Sequence, residues 1–163
     1  MTLPESKQLA GLSEALIQLN SGASPVWTAK CDVWRPEEFA WDEMEANAEE
    51  GKCAIACYVD LLPRTNRQWP SIEQTVAACR SLCARLRETR LRCCRADLIV
   101  RGALIGPDPM TLGITAYLTA CGATLEDASA VLASALRKFV VAVVSDEHSG
   151  SDAQKLQWKS VGE

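Results

Sequence analysis

The sequence contains a single histidine, His148, and it lies in a polar C-terminal stretch. Histidine is the side chain most often used as a general acid or base near neutral pH, so a catalytic triad that depends on it is nearly excluded. The sequence also lacks a nucleophile elbow, a glycine-rich phosphate loop and a metalloprotease helix motif. These absences predict a protein that is not an enzyme and uses no cofactor.

Long apolar runs are absent as well. No stretch approaches the ~20 apolar residues that span a bilayer, and the N-terminus MTLPESKQ lacks the basic start and apolar core of a secretory signal. We therefore expect a cytoplasmic protein with no membrane association. Acidic residues outnumber basic residues by 21 to 17, giving a net charge of -4, so the chain as a whole would repel nucleic acid and anionic lipid.

Cysteine, in contrast, is abundant, with eight residues. In a reducing cytosol we expect thiols, and most of these side chains fill positions of apolar stripes. One alternative is a zinc site: Cys53 and Cys57 share a strand face, and Cys79 and Cys83 lie one turn apart on the next helix. Both pairs have the spacing C-x3-C instead of the common C-x2-C, so core packing is the favoured interpretation and no metal is expected.

The length of 163 residues and the 48% hydrophobic composition predict one domain, over residues 1–144, followed by a polar tail over 145–163. Its first helix is capped by Thr2 and carries a stripe of leucines, Leu9, Leu12, Leu16 and Leu19. Alternation then predicts a strand from Val26 to Trp34, with Trp27, Ala29, Cys31 and Val33 on one side. Residues 37–50 fit a helix or a strand, and we favour a strand that enters a hairpin with the next strand, CAIACYVDLL.

Ser71 is predicted to cap a second helix, whose stripe consists of Ile72, Val76, Cys79, Cys83 and Leu86. Strands over 96–104 and 112–120 form a hairpin around GPDP, and Thr124 starts a last helix. The predicted order is helix, three strands, helix, two strands, helix. It is typical of an α+β fold in which helices cover a mainly antiparallel twisted sheet, and any uncovered surface would favour dimerisation or partner binding.

Two segments carry opposite charge. The segment from Arg80 to Arg101 contains seven arginines and only two acidic residues, Glu88 and Asp97. Residues 37–50, in contrast, contain seven carboxylates. The basic segment leaves an RNA-binding domain open as an alternative, but no aromatic residue is interleaved for base stacking, so nucleic acid is an unlikely partner. The acidic segment reads as a solvated face, and opposed charges suit self-association or a protein partner.

Tryptophan is concentrated in the first strands and in the loop before the second helix, at Trp27, Trp34, Trp41 and Trp69. Tryptophan is over-represented at binding hot spots because it buries a large apolar area and keeps one hydrogen-bond donor. Trp34 and Trp41 have charged neighbours and are the better candidates for exposure. Core packing of the remaining rings is the alternative.

The order of elements, the size and the acidic balance resemble the class I chaperones of bacterial type III secretion. The resemblance covers residues 5–143 and consists of the leucine helix 9–19, the strand run ending in CAIACYVDLLP, the helix SIEQTVAACRSLCARLRE, the hairpin ADLIVRGALIGPDPMTLGITAYLTA and the helix LEDASAVLASALRKFVVAVV. It implies a homodimer without enzymatic activity that holds an extended effector segment before export. A toxin-immunity or phage-derived protein-binding module is an alternative with the same layout.

The resemblance also implies which residues act. The dimer interface would contain four residues of the middle helix and the following strand, Leu82, Leu86, Leu98 and Val100. Client contact would involve five aromatic residues, Trp27, Trp34, Phe39, Trp41 and Tyr58, through strand addition or groove binding.

Overall fold

A computed structural model of the chain describes Leu9 and residues 11–64, 71–103 and 111–145. These ranges form helix α1 (Leu12–Leu19), strand β1 (Val26–Trp34), a short 3-10 turn (Asp42–Met44), strand β2 (Cys53–Pro63), helix α2 (Ile72–Glu88), strands β3 (Cys94–Ala103) and β4 (Thr111–Gly122), and helix α3 (Leu125–Val144). The predicted α+β class is confirmed. Residues 146–163 of the predicted tail, including His148, and also Trp69 lie outside the described residues.

The four strands form one antiparallel sheet in the order β1-β2-β4-β3. β3 and β4 pair as the predicted hairpin, with Leu98 opposite Ala116. The two central strands, β2 and β4, pair with each other, and Tyr58 lies opposite Tyr117 in this pairing. The end of β2 at Pro63 and the start of β4 at Thr111 are 48 residues apart in the sequence (111 − 63). The two strands are nevertheless neighbours in the sheet, which local sequence patterns do not reveal.

The predicted strand over residues 37–50 is wrong, so two strands precede α2, not three. Trp41 O accepts hydrogen bonds from the backbone N–H groups of Met44 (3.1 Å) and Ala46 (3.3 Å), which curls the segment. Glu45 then adopts a left-handed conformation (φ 57°). The buried side chain of Met44 packs with Ala54 and Cys121, so the segment folds over one end of the sheet.

Helix α1 buries its predicted stripe, and helix α3 buries an apolar stripe as well. The four leucines of the first stripe are all buried, although the described helix begins at Leu12, after Gly11 in a left-handed conformation (φ 88°); Thr2 lies outside the described residues. In α3, Thr124 and Asp127 form a reciprocal capping box. The buried stripe of α3 consists of Ala128, Leu132, Ala135, Phe139 and Val143.

The stripe predicted for α2 is partly wrong. Its buried residues are Thr75, Cys79 and Leu82, whereas Ile72 is 56% exposed. α2 packs against α3 and β3 through this face, and Ile72 lies in the first turn, before the contact begins. The Thr75 hydroxyl donates to the carbonyl of Ser71 (2.8 Å), so the buried polar group is satisfied.

All three helices lie on the same face of the sheet and share its main core. A β-bulge in β1, between Thr28 and Cys31, shifts the register against β2. Trp27 is therefore opposite Leu62, while Cys31 is opposite Val59, and Leu62 and Val59 point to opposite faces of β2. The predicted shared side for Trp27 and Cys31 is wrong, because the bulge interrupts the alternation.

No helix among the described residues is long and apolar enough to cross a membrane.

Candidate functional site

The sheet face opposite the helices is the candidate site, and we call it the open face. In the described ranges no helix packs on it. The register assigns to it Trp27, Asp32 and Trp34 of β1, Ala54, Ala56, Tyr58, Asp60 and Leu62 of β2, Thr115, Tyr117 and Thr119 of β4, and Arg95, Asp97, Ile99 and Arg101 of β3. It carries aromatic rings and arginines, which are residue types that are enriched at binding interfaces.

Three aromatic side chains meet near the centre of the open face, and we call them the aromatic triad: Trp34, Tyr58 and Tyr117. Ring centroids are separated by 6.3 Å for Trp34 and Tyr58, 6.3 Å for Trp34 and Tyr117, and 5.8 Å for the two tyrosines. Their planes are inclined by 51°, 81° and 42°, so none of the pairs is a parallel stack. Trp34 is 37% exposed and both tyrosines are half-buried, which makes the triad accessible to a ligand.

A polar network lies beside the triad. The carboxylate of Asp60, only 8% exposed, accepts a hydrogen bond from the Thr115 hydroxyl (2.8 Å) and forms an ion pair with Arg101. Burying a carboxylate costs folding free energy unless the group is paired, and Asp60 has both a hydrogen-bond donor and a cationic partner. Burial and the nearby charges of Asp60 and Asp32 raise the pKa of Tyr58, so its hydroxyl remains a hydrogen-bond donor at neutral pH.

The segment between β1 and β2 closes one end of the open face. Met44 O accepts a hydrogen bond from the backbone N–H of Cys93 (2.8 Å). Glu43 forms an ion pair with Arg95, and Arg92 pairs with Glu50 at 3.2 Å. This segment therefore covers one end of the open face, and the aromatic triad lies on the part that it leaves uncovered.

The aromatic residues predicted for client contact occupy four different settings. Trp34 and Tyr58 are brought together in the triad. Trp27 is half-buried on the open face and donates its indole N–H to Pro63 O (3.2 Å). Phe39 packs with Met44 in the small cluster under the closing segment.

Trp41, at 38% exposure, lies against the backbone of Gly51, where an added Cβ would come within 2.6 Å of the tryptophan. Tyr117 was missed by the sequence prediction. Its signal was available, because alternation in β4 already sets it on the face opposite Leu118. Only the pairing of β2 with β4 shows that it meets Tyr58.

The four residues predicted for a dimer interface lie around α2 and β3. Leu82 is buried in the core of the single chain, and Leu86, Leu98 and Val100 are half-buried and pack against that core. Leu86 also lines a groove of about 770 Å³ between the end of α2 and β3, together with Leu91, Cys94 and Ala96. The dimer interface stays a prediction.

The zinc alternative requires α2 to pack on β2, and α2 packs on α3 and β3 instead. Cys57 is buried in the sheet core, Cys79 is buried on the inner face of α2, and Cys53 and Cys83 are half-buried. Among the described residues, no group of three or more histidine, cysteine or acidic side chains is placed to hold a metal ion.

Burial of the Cys57 thiol predicts a stability change in alkaline solution. Burial raises its pKa to about 12, from an ordinary value of 9.0. Above pH 9 the unfolded chain loses this proton and the folded chain retains it, so stability falls as pH rises, by up to about 1.4 kcal/mol per pH unit for this thiol. Urea unfolding between about pH 8 and about pH 10.5 measures the slope. The Cys57→Ala variant is expected to show a flatter slope, and equal slopes would contradict the assignment.

Three of the seven arginines in the basic segment pair with described carboxylates. Arg92, Arg95 and Arg101 each form an ion pair with a described acidic residue, which lowers the charge available to phosphate groups. This weakens the RNA-binding alternative. Compared with known proteins, the chain matches no family model, no curated protein and no solved structure.

Proposed function

We propose that this protein acts without catalysis, by holding an extended segment of a client protein against the open face of its sheet. One observation carries the proposal: the helices of the described ranges leave this face uncovered, and it presents the aromatic triad at its centre. An uncovered sheet face with accessible aromatic rings is where a partner gains most from burial. Following the resemblance to class I type III secretion chaperones, we propose that the client is an effector segment held before export.

The layout of the open face suits an extended client better than a folded one. The triad draws one ring from β1, one from β2 and one from β4, so a bound segment can contact three neighbouring strands. Ile99 of β3, half-exposed, extends this contact surface to the edge strand. A peptide that crosses the face can bury alternate side chains on the triad and on Ile99, as peptides bound in an extended conformation do.

A toxin-immunity or phage-derived binding module is the competing proposal. It would bind one folded protein tightly and would show no affinity for short unstructured peptides. The two proposals therefore differ in the state of the bound partner, which peptide binding tests directly.

Selection of peptides from a displayed random library against the full chain is expected to enrich sequences that bind at the open face. Replacing Trp34 by alanine should weaken the enriched peptides about tenfold or more, because a tryptophan at the centre of a binding surface is a typical hot spot. Fluorescence anisotropy of the synthesised peptides measures the affinity.

Trp41→Ala is the matched control. Trp41 is as exposed as Trp34 (38% against 37%) but lies on Gly51, outside the triad, and its replacement is expected to change affinity less than about twofold. Failure to enrich any peptide, or equal losses in the two variants, would contradict binding at the triad.

A further inference from the structure

We infer that the aromatic triad binds the cationic group of an arginine or lysine side chain in the client segment. The inference rests on the proposed function and adds the chemistry of the residue that is recognised. Aromatic rings attract a cation over their faces, and clusters of rings are a known way of binding ammonium and guanidinium groups. The ring geometry, the surrounding charges and the accessibility of the site each support this occupant.

The ring spacing allows one cation to lie within about 6 Å of all three ring centroids. The centroids form a nearly equilateral triangle with sides of 6.3, 6.3 and 5.8 Å. Its centre is about 3.5 Å from each centroid, so a cation roughly 4 Å above the centre lies within the ~6 Å over which the attraction acts. Since none of the three pairs is a parallel stack, no ring lies flat on the face of another.

The charges around the triad leave one carboxylate without a cationic partner. The strand pairing places five charged side chains on the open face: Asp32, Asp60, Asp97, Arg95 and Arg101. Asp60 pairs with Arg101, and Asp97 pairs with Arg95 at 2.8 Å. Among the described residues Asp32 forms no ion pair, and its carboxylate accepts only the backbone N–H of Val33 (2.7 Å).

The position of Asp32 makes this carboxylate part of the site. Asp32 is exposed and lies directly opposite Tyr58 in the pairing of β1 with β2. Its charge is near enough to Tyr58 to contribute to the raised pKa of that hydroxyl. A basic side chain that rests on the triad can therefore form a charge-assisted hydrogen bond with Asp32, which a neutral side chain cannot do.

A pair of isosteric probes tests the inference in the full chain. N-acetyl-arginine amide carries the guanidinium, and N-acetyl-citrulline amide has nearly the same shape without the charge. At constant ionic strength we expect the arginine probe to shift the NMR signals of the Trp34 indole and of the Tyr58 and Tyr117 rings in a saturable way. It should bind about threefold to tenfold more tightly than citrulline. Equal binding of the two probes, or no saturable shift with arginine, would overturn the inference.

Two variants assign the preference to named residues. Asp32→Asn removes the charge and keeps the size, and should reduce arginine binding severalfold while citrulline binding stays the same. The control is Glu14→Gln, an exposed carboxylate on α1 that changes net charge equally but lies on the helix side of the sheet. Trp34→Leu keeps apolar area but removes one ring, and should bring the arginine and citrulline affinities close together. Equal effects of Asp32→Asn and Glu14→Gln would show that only net charge matters and would contradict the site.

Failure of this inference is distinguishable from failure of the proposed function. If enriched peptides bind the open face and lose affinity in Trp34→Ala, but contain no excess of arginine or lysine and show no preference in the probe pair, client binding stands and the basic-residue preference is wrong. If no peptide binds the open face, the proposed function itself is wrong.

Discussion

The Phe139→Ala variant is expected to lose about 3 to 5 kcal/mol of unfolding free energy, since a buried phenylalanine replaced by alanine loses transfer free energy and leaves a cavity. Phe139 is fully buried and is the largest such side chain among the described residues. It lies in the middle of the α3 stripe, and α3 packs on β4, β2 and both other helices. The cavity would therefore open at the centre of the core.

Urea unfolding followed by circular dichroism measures this loss, and Val141→Ala is the control on the same helix. Val141 is 62% exposed, so its replacement is expected to change stability by less than about 0.5 kcal/mol. Phe139→Leu keeps most of the volume and should lose about 1 kcal/mol, which retains a folded protein for comparison if the alanine variant unfolds. Similar losses for Phe139→Ala and Val141→Ala would contradict the assigned core.

The Gly122→Ala variant is expected to lose about 2 to 3 kcal/mol, because overpacking a tight contact forces the backbone to shift. A Cβ at Gly122 would approach the backbone nitrogen of Ala128 to 2.5 Å and the Cβ of Asp127 to 2.7 Å. Both atoms belong to the first turns of α3, where the capping box fixes the backbone. The end of β4 and the start of α3 would have to separate.

Gly22→Ala is the matched control, since an added Cβ at Gly22 has no neighbour within 4 Å. It is expected to change stability by less than about 0.5 kcal/mol or to stabilise the protein slightly by restricting the unfolded chain. Thermal unfolding of the two variants side by side makes the comparison. Equal melting temperatures would show that the contact between β4 and α3 is looser than the structure has it.

Helices and long strands were predictable because their patterns are local. The leucines of α1 and the stripe of α3 repeat with the helical period, and the structure buries both sets. β1 was predicted with its observed bounds, Val26–Trp34, because Pro36 follows the alternating run. In each of these elements, composition, period and flanking residues agree.

The prediction failed where the decisive contacts are distant in sequence. Residues 37–50 alternate like a strand, but Met44 has a buried position beside Ala54 and Cys121 that only a curled backbone reaches. Tertiary packing decides such a segment, because its local preferences are balanced. The same reason explains Ile72, whose place in a helical stripe does not ensure that another element covers it.

The candidate site was predictable residue by residue but not as an arrangement. The exposure of Trp34 and the position of Tyr58 on the other side of its strand follow from their neighbours in sequence. Their contact with Tyr117 depends on β2 pairing with β4 across an intervening helix and strand. Such non-local pairing is specified by the whole core, so no local pattern announces it.

The bulge in β1 gives that strand one residue more than regular pairing with β2 needs. Deleting one residue at the bulge, such as Lys30, would bring Thr28 and Cys31 into regular alternation and would leave Trp27 on the open face and Cys31 on the helix side. Deleting a residue within the regular run 31–34 would instead move the residues on one side of the deletion to the other face. A single-codon deletion in this strand therefore preserves or exchanges the two surfaces according to its position, whereas a deletion in the loop at Gly22 only shortens a connection.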